Sequence, residues 1–525
     1  MKTRWHQAGL MMLGLTMPAL IAPAAVAAGT SGPDLHAAPS PAGAAALADG
    51  LRGWMAGIAG PGASIPKDIV QVEARHGFYR VSIPLPPAQG APTQGTPTQG
   101  APAKDAGTGA PQPALLRADA RPIDAGRWRI DRIRFPRALS RTMTLPANGG
   151  TAVPRKVSFR MKIAQQSLHG VYDPAGASPS RLAGSIRGFD MRLSGPGMGE
   201  HAHEDRIRLH VLLLPAPHGR FNLVSRSTAT GYASIGHGPT GQTFNMSIRQ
   251  VRTSAEMDNL SADRLRALVQ AFGGLKGPMM QHMAQGTQAK LQPTKTEAAA
   301  ARAVVATATD LMSGLRVHDT LEGVRVDAPQ GGLRADRIVL GIVGEAPGPI
   351  LTLRLDIGLD GLRLPTLPPD IIAMLPQHIA ISPVVTGVNA QAVTAILLNA
   401  TTPGVNRQAL MMQAMALLGQ GGIEAGVQRL SVVLGPTRIV GHGVVRLIGG
   451  GKIAGTARII ATGFDALVQQ VKQDPKAAKA LPGLLLVRGL AKADGKRLVW
   501  LVSRHPDGKL LVNGVDMSAM AGGKH

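Results

Sequence analysis

The stretch LTLRLDIGL, residues 351–359, alternates without a break. Leu351, Leu353, Leu355, Ile357 and Leu359 take one parity, and Thr352, Arg354, Asp356 and Gly358 take the other. A period of two belongs to extended chain, because successive side chains leave opposite faces of the pleat. The stretch VSFRMKI behaves the same way. Val157, Phe159, Met161 and Ile163 share one face, and Ser158, Arg160 and Lys162 the other. In GRWRIDRIRFPR the alternation slips: Trp128 and Ile130 have one parity, Ile133 and Phe135 the opposite one. A bulge near Asp131–Arg132 restores a single apolar face there.

More strands follow from the same pattern. DIVQVEARHGFYRVSIPLP predicts two strands turning at Arg75-His76-Gly77. QRLSVVLG, TRIVGHGVVRLIGG and KIAGTARIIATG predict successive antiparallel strands, and RLVWLVS and KLLVNG a hairpin around His505-Pro506-Asp507-Gly508. Helices are expected in AGAAALADGLRGWMAGIAG and over 261–273, with Ser261 as N-cap, Leu260 and Leu265 as a hydrophobic staple and Gly273 as the stop. Another is expected from Thr294, where Glu297 completes a capping box, to Gly314. Shorter helices fit 389–400, 406–418, 464–473 and 475–491. The expected fold class is α+β: large antiparallel sheets with alternating apolar faces and short helices between strand runs.

The chain divides by composition. Residues 1–27 have the form of a secretory signal, with Lys2 and Arg4, an apolar run from Ala8 to Ile21, and cleavage near Ala27 after Ala25-Val26. The expected destination is the periplasm. A β-rich N-terminal domain then covers 28–275, a helical connector 276–316, and an α+β C-terminal domain 317–525. Within the first domain, 87–113 repeats Gln-Gly-Ala-Pro-Thr-like units with no large apolar residue, which predicts a disordered Pro/Gly/Gln linker. No later stretch reaches about 18 uninterrupted apolar residues, so no transmembrane span is expected in the mature chain. Without a cysteine, the chain has no disulfide and no lipidated N-terminal cysteine.

Charge and aromatic content bear on partners. The formal net charge is +24, or +22 once Lys2 and Arg4 leave with the signal. Such a surplus favours a lipid headgroup, an anionic membrane surface or an acidic polymer. Aromatics are only 3% of the chain, which argues against base-stacking platforms and against nucleic acid as partner.

Candidate chemistry centres on GEHAHEDRIRLH, residues 199–210. His201, His203 and Asp205 match the start of the H-x-H-x-D-H metal motif of metallo-β-lactamase-like hydrolases. The final position is Arg206, a permanent cation that cannot ligate. The stretch is expected as a polar loop feeding a strand, with a metal-dependent hydrolase at 201–205 kept as an alternative. In that strand Arg206, Arg208 and His210 share a parity and, with Arg160 and Lys162, are the candidate anion-facing surface. The methionines at 279–283 and 411–415 have soft-ligand spacing but suit core filling in an aromatic-poor chain. IGGGKIAG lacks the Ser or Thr of a phosphate loop, and GYASIGHG misplaces the first glycine of G-x-S-x-G. No catalytic constellation, cofactor site or metal site follows.

Three passages carry a resemblance: GWMAGIAG…VEARHGFYRVSIPLP, GLDGLRLPTLPPDIIAMLPQHIAI, and GTARIIATGFDALVQQV…LVNGVDM. They resemble an alphaproteobacterial periplasmic family of a domain of unknown function, similar in style to AsmA-like envelope proteins. The chain departs from that family at Gly77-Phe78-Tyr79, where the family start has Gly-Phe-Pro. The resemblance implies an exported envelope protein and carries over no catalytic residue. The expectation is therefore a non-enzymatic protein that binds lipid or acyl chains on an apolar sheet face. A structural or adaptor protein docking on anionic envelope polymers or a membrane complex is the alternative.

Overall fold

The structure, a computed structural model, describes residues 38–59, 65–84, 115–145, 155–271 and 295–517, with short internal gaps. The expected signal, residues 276–294 of the helical connector and the 87–113 linker lie outside the described residues. The chain forms two compact units. The first comprises 1–215 with 225–245 and 262–292; the second comprises 216–224 with 246–261 and 293–525.

The first unit opens with helix α1 (Pro41–Ala59), whose alanine-rich sequence favours helix and leaves small residues for close packing. Five strands follow: β1 (Gln71–Arg75), β2 (Phe78–Pro84), β3 (Leu115–Pro122), β4 (Trp128–Arg134) and β5 (Ala138–Leu145). Three long ones complete the run: β6 (Arg155–Asp173), β7 (Ser178–Gly195) and β8 (Met198–Ala216). Neighbouring pairs are antiparallel throughout. The core sits beneath α1, where Leu47, Leu51, Tyr79, Trp128 and Tyr172 are buried together. Tyr79 and Trp128 meet edge to face, with centroids 5.4 Å apart. The Tyr79 hydroxyl accepts a hydrogen bond from the Ser40 amide at 3.1 Å. The expected bulge is present: Arg132 has φ 53°, and the β4–β6 register slips between Ile130 and Ile133.

Strands β9 (Arg220–His237) and β10 (Thr243–Leu260) contribute residues to both units. Chain 262–265 is helical directly after Ser261, as expected, and both Leu260 and Leu265 are buried.

The second unit continues with helix α2 (Lys295–Ala308). It stops short of the expected end at Gly314. Asp310 takes φ 58°, which no helix continues, and β11 (Gly314–Ala328) begins at that glycine instead. An antiparallel ladder follows through β12 (Gly331–Glu345), β13 (Ile350–Asp360), β14 (His378–Asn389), β15 (Glu424–Leu434), β16 (Thr437–Ile448), β17 (Lys452–Thr462) and β19 (Arg497–Arg504). The short strands β18 (Lys492–Asp494), β20 (Leu510–Val512) and β21 (Val515–Asp516) pair beside β19. Between strands lie α3 (Ala390–Ala400), α4 (Arg407–Gly419), α5 (Phe464–Gln473) and α6 (Leu481–Gly489). Asn389 caps α3 through its side chain, accepting the Ala392 amide at 3.0 Å. The His505–Gly508 turn closes as expected, with the Gly508 amide on the His505 carbonyl at 2.9 Å. Among the described residues no helix is long and apolar enough to cross a membrane.

Candidate functional site: an exposed apolar sheet face

Cross-strand register shows which side chains of the second unit share a face. Leu340 stands opposite Ile357, and Ile342 opposite Leu355, across β12 and β13. Leu353 stands opposite Val385 across β13 and β14. On β15 the same face continues through Ala425, Val427 and Leu430, and on β16 through Gly441, Gly443 and Val445. It then reaches Ile459 and Ala461 on β17, and Trp500 on β19. From β12 to β16 the face spans four inter-strand steps, about 19 Å at the usual sheet spacing.

The two ends of this face differ in cover. At the β16–β19 end, α5 and α6 close it: Phe464, Val468, Leu481 and Leu484 pack with Ile439, Ile459, Ala461 and Trp500. The Trp500 ring lies edge-on to Phe464, with centroids 5.7 Å apart. Its Nε1 donates to the Val487 carbonyl at 2.7 Å and anchors α6. At the β12–β14 end the face is open. Leu340 is 47% exposed, Ile357 43%, Ile342 41%, Leu353 41% and Leu355 36%. These exposed large apolar side chains adjoin one another across the paired strands.

The opposite face of the same strands is polar and internally compensated. Arg337 donates to Asp360 at 2.7 Å, and Asp360 also pairs with His378 Nδ1 at 2.5 Å. Burial alone would raise the Asp360 carboxyl, but these two partners outweigh it and hold the group below its usual range. Arg354 pairs with Asp356 at 3.2 Å. Ordinary one-sided sheets cover the apolar face and expose the polar one; here, at β12–β13, both are accessible.

Helix α6 adds a second exposed apolar feature. Its inward side packs on Trp500, while Leu485, Leu486 and Val487 are exposed. Exposed Lys479, Arg488, Lys492 and Lys496 flank them in sequence.

The sequence-derived site residues fall on β6 and β8 of the first unit. HAHEDR is not a loop: β8 starts at Met198, so His201 and His203 lie within the strand. The turn-rich lead-in does not extend into it, because pairing with β7 keeps one register from Gly195–Met198 onward. Each histidine is held by a separate acid. His201 Nε2 meets Asp190 at 2.5 Å, and His203 Nε2 meets Asp205 at 3.2 Å. Burial would raise the Asp190 carboxyl, but His201 and the nearby Arg192 hold it below its usual range. Among the described residues no group of three or more potential ligands converges on a metal position. Arg160 stands opposite Arg192, and Lys162 opposite Asp190, across β6 and β7. In turn Arg192 faces His201 and Asp190 faces His203 across β7 and β8. Arg206 stands opposite Arg187, Arg208 opposite Ser185 and His210 opposite Ala183. Arg160, Lys162 and Arg208 are exposed; Arg206 and His210 are half-buried.

The residues that sequence reasoning missed are the acids on either side of those histidines. Glu200 and Glu204 are buried, Glu204 to 3% exposure. Ser234 Oγ donates to Glu200 Oε1 at 3.1 Å. Glu204 Oε2 has no hydrogen-bond partner, and burial pushes its carboxyl up to about 7. Burial, with Glu200 and Glu204 adding to it, also raises the Tyr232 hydroxyl. The signal was present as strict alternation: Glu200, Ala202 and Glu204 on one parity of β8, and Tyr232 and Ser234 on one parity of β9.

No family model, curated protein or solved structure matches the chain.

Proposed function

We propose that the protein is an exported, periplasmic envelope protein without catalysis that binds lipid. Acyl chains lie on the exposed apolar face of β12–β14, and basic side chains engage the headgroups or the membrane surface. The single observation carrying this reading is the set of opposed, solvent-exposed pairs Leu340–Ile357, Ile342–Leu355 and Leu353–Val385. A face of this kind stays dry only when something apolar covers it. Each methylene it covers contributes about 0.8 kcal/mol. The sequence adds the form of a secretory signal, a net charge of +24 and the resemblance to AsmA-like envelope proteins. Native mass spectrometry of the purified protein, with lipid extraction, tests the reading. Co-purifying lipid that is lost in an Ile342→Ser, Leu355→Ser variant is the expected result. Lipid-free protein whose melting temperature no fatty acid or phospholipid shifts would overturn it.

A second reading, an adaptor docking on anionic envelope polymers, is favoured by one arrangement. Arg160 is exposed and stands directly opposite Arg192 across β6 and β7, with Arg192 already paired to Asp190 at 3.5 Å, so Arg160 is the cation left to meet an anion there. Salt-sensitive co-sedimentation with envelope fractions, without bound lipid, would support this reading over the first.

A further inference from the structure

The β15–β17 ladder holds a cluster of cations on the face opposite the apolar one. Arg438 and His442 on β16 share a parity there, and register sets His442 directly opposite Arg458 of β17. Arg429 enters from the β15 bulge between Val427 and Leu430. With Gln428 and Ser431 these residues line a cleft of about 240 Å³. Gln428, His442 and Arg458 also line a larger trough of about 990 Å³, to which Thr456, Ser503 and Lys492 contribute.

These arginines differ from others on the same ladder. Arg316 holds Asp258 and Glu345, Arg337 holds Asp360, Arg354 holds Asp356 and Arg446 holds Glu424. Among the described residues no carboxylate pairs with Arg429, Arg438 or Arg458. Among the described residues Glu424 is the one acid lining the trough, and Arg446 already occupies it. Like charges gathered on adjacent strands without counter-ions repel one another, and the cost is recovered when an anion enters.

We propose that this cleft is a phosphate-binding site. Three guanidinium groups from three strands, with an imidazole and a Gln amide beside them, present more donors than the two oxygens of a carboxylate accept. A phosphate offers three or more oxygens, and planar guanidinium groups match it in bidentate fashion. The same chemistry serves free phosphate compounds and phospholipid headgroups. The adjoining trough leaves room for whatever the phosphate carries. The site lies on the opposite face from the apolar pairs, so it stands without the acyl-chain reading.

Calorimetric titration of the full chain with inorganic pyrophosphate tests the site, alongside flotation with neutral vesicles and with vesicles containing phosphatidylglycerol. The variants are Arg438→Ala and Arg458→Ala, with exposed Lys67→Ala of the first unit as a charge-matched control and far-ultraviolet circular dichroism to check folding. The expected result is binding that weakens about tenfold or more in each arginine variant and stays within about twofold in the control. Arginine-dependent binding of pyrophosphate assigns a free phosphate compound. Arginine-dependent binding of phosphatidylglycerol vesicles alone assigns a headgroup. Absence of binding by both probes, or equal losses in Lys67→Ala and the arginine variants, overturns the proposal.

Discussion

Leu340 and Ile357 face each other across β12 and β13, and both remain more than two-fifths exposed. Two large aliphatic side chains on a well-paired ladder usually lie under a second layer. Here the layer made by α5 and α6 covers only the β16–β19 end of the same face. Ile342→Ser with Leu355→Ser therefore separates binding from stability. Because both side chains are half-exposed, stability should change by less than about 1 kcal/mol. Binding of a fluorescent fatty acid should weaken by about tenfold. Unchanged fatty-acid affinity would remove this face from consideration.

Glu204 predicts a pH dependence. Its carboxyl titrates near 4.5 in unfolded chain and at about 7 when buried. The folded state therefore holds the proton more tightly. That stabilisation is complete below about 4.5 and is lost as pH rises through about 7. Glu204→Gln removes the ionisable group. Relative to wild type it should gain about 2 kcal/mol between pH 5 and pH 8. Urea unfolding at both pH values measures this, and superimposable pH slopes for the two proteins would refute it. Asp190 and Asp360 act at the acid end with the opposite sign. Their lowered carboxyls stabilise the fold above the ordinary carboxylate range, and that contribution fades as pH falls below it.

Asn513 ties three segments together. Its Nδ2 donates to the Leu490 and Val499 carbonyls at 2.8 Å each, and its Oδ1 accepts the Leu501 amide at 2.9 Å. It also has φ 49°, a conformation costly for most side chains. Asn513→Ala should cost about 2–3 kcal/mol through lost hydrogen bonds and backbone strain. Asn513→Gly loses the same bonds without the strain and should be about 1 kcal/mol milder. Equal melting temperatures for the two variants would show that the left-handed backbone carries no cost.

Helix α6 offers Leu485, Leu486 and Val487 to solvent beside Lys479, Arg488 and Lys492. This combination suits partial insertion at an anionic membrane surface. Leu485→Asn with Leu486→Asn should reduce flotation with phosphatidylglycerol vesicles several-fold. Melting temperature should stay unchanged, because the inward Leu481 and Leu484 hold the helix on Trp500. Full flotation by the variant would exclude α6 as the contact.

Much of the local structure was legible because it rests on local chemistry. The Asp131–Arg132 bulge showed in a parity slip, the His505–Gly508 turn in its Pro-Asp-Gly sequence, and the helical start at 262 in the Ser261 before it. The end of α2 was misplaced because Asp310, not a glycine, adopts the left-handed conformation that stops it. GEHAHEDR was misplaced for a different reason. The alternation there is present but carries no apolar face that separates strand from polar loop, and only pairing with β7 and the Ser234 contact from β9 bury Glu200 and Glu204 while keeping His201 and His203 partly exposed. The arginine cleft was invisible because Arg429, Arg438 and Arg458 lie on three strands, and their lack of acids is a property of the pairing.

By itself the sequence determined the period-two strands such as those over 157–163 and 351–359, the turn at His505–Gly508 and the helical start after Ser261, since period two, turn residues and caps act within a few neighbours. It also determined the surplus of positive charge. Tertiary structure decided which faces are covered. Leu351–Leu359 alternate in the same way whether a helix lies over them or not. Only the placement of α5 and α6 over Ile459, Ala461 and Trp500, far along the ladder, leaves Leu340, Ile342, Leu355 and Ile357 open. Cover depends on contacts distant in sequence, and residue periodicity carries no record of them.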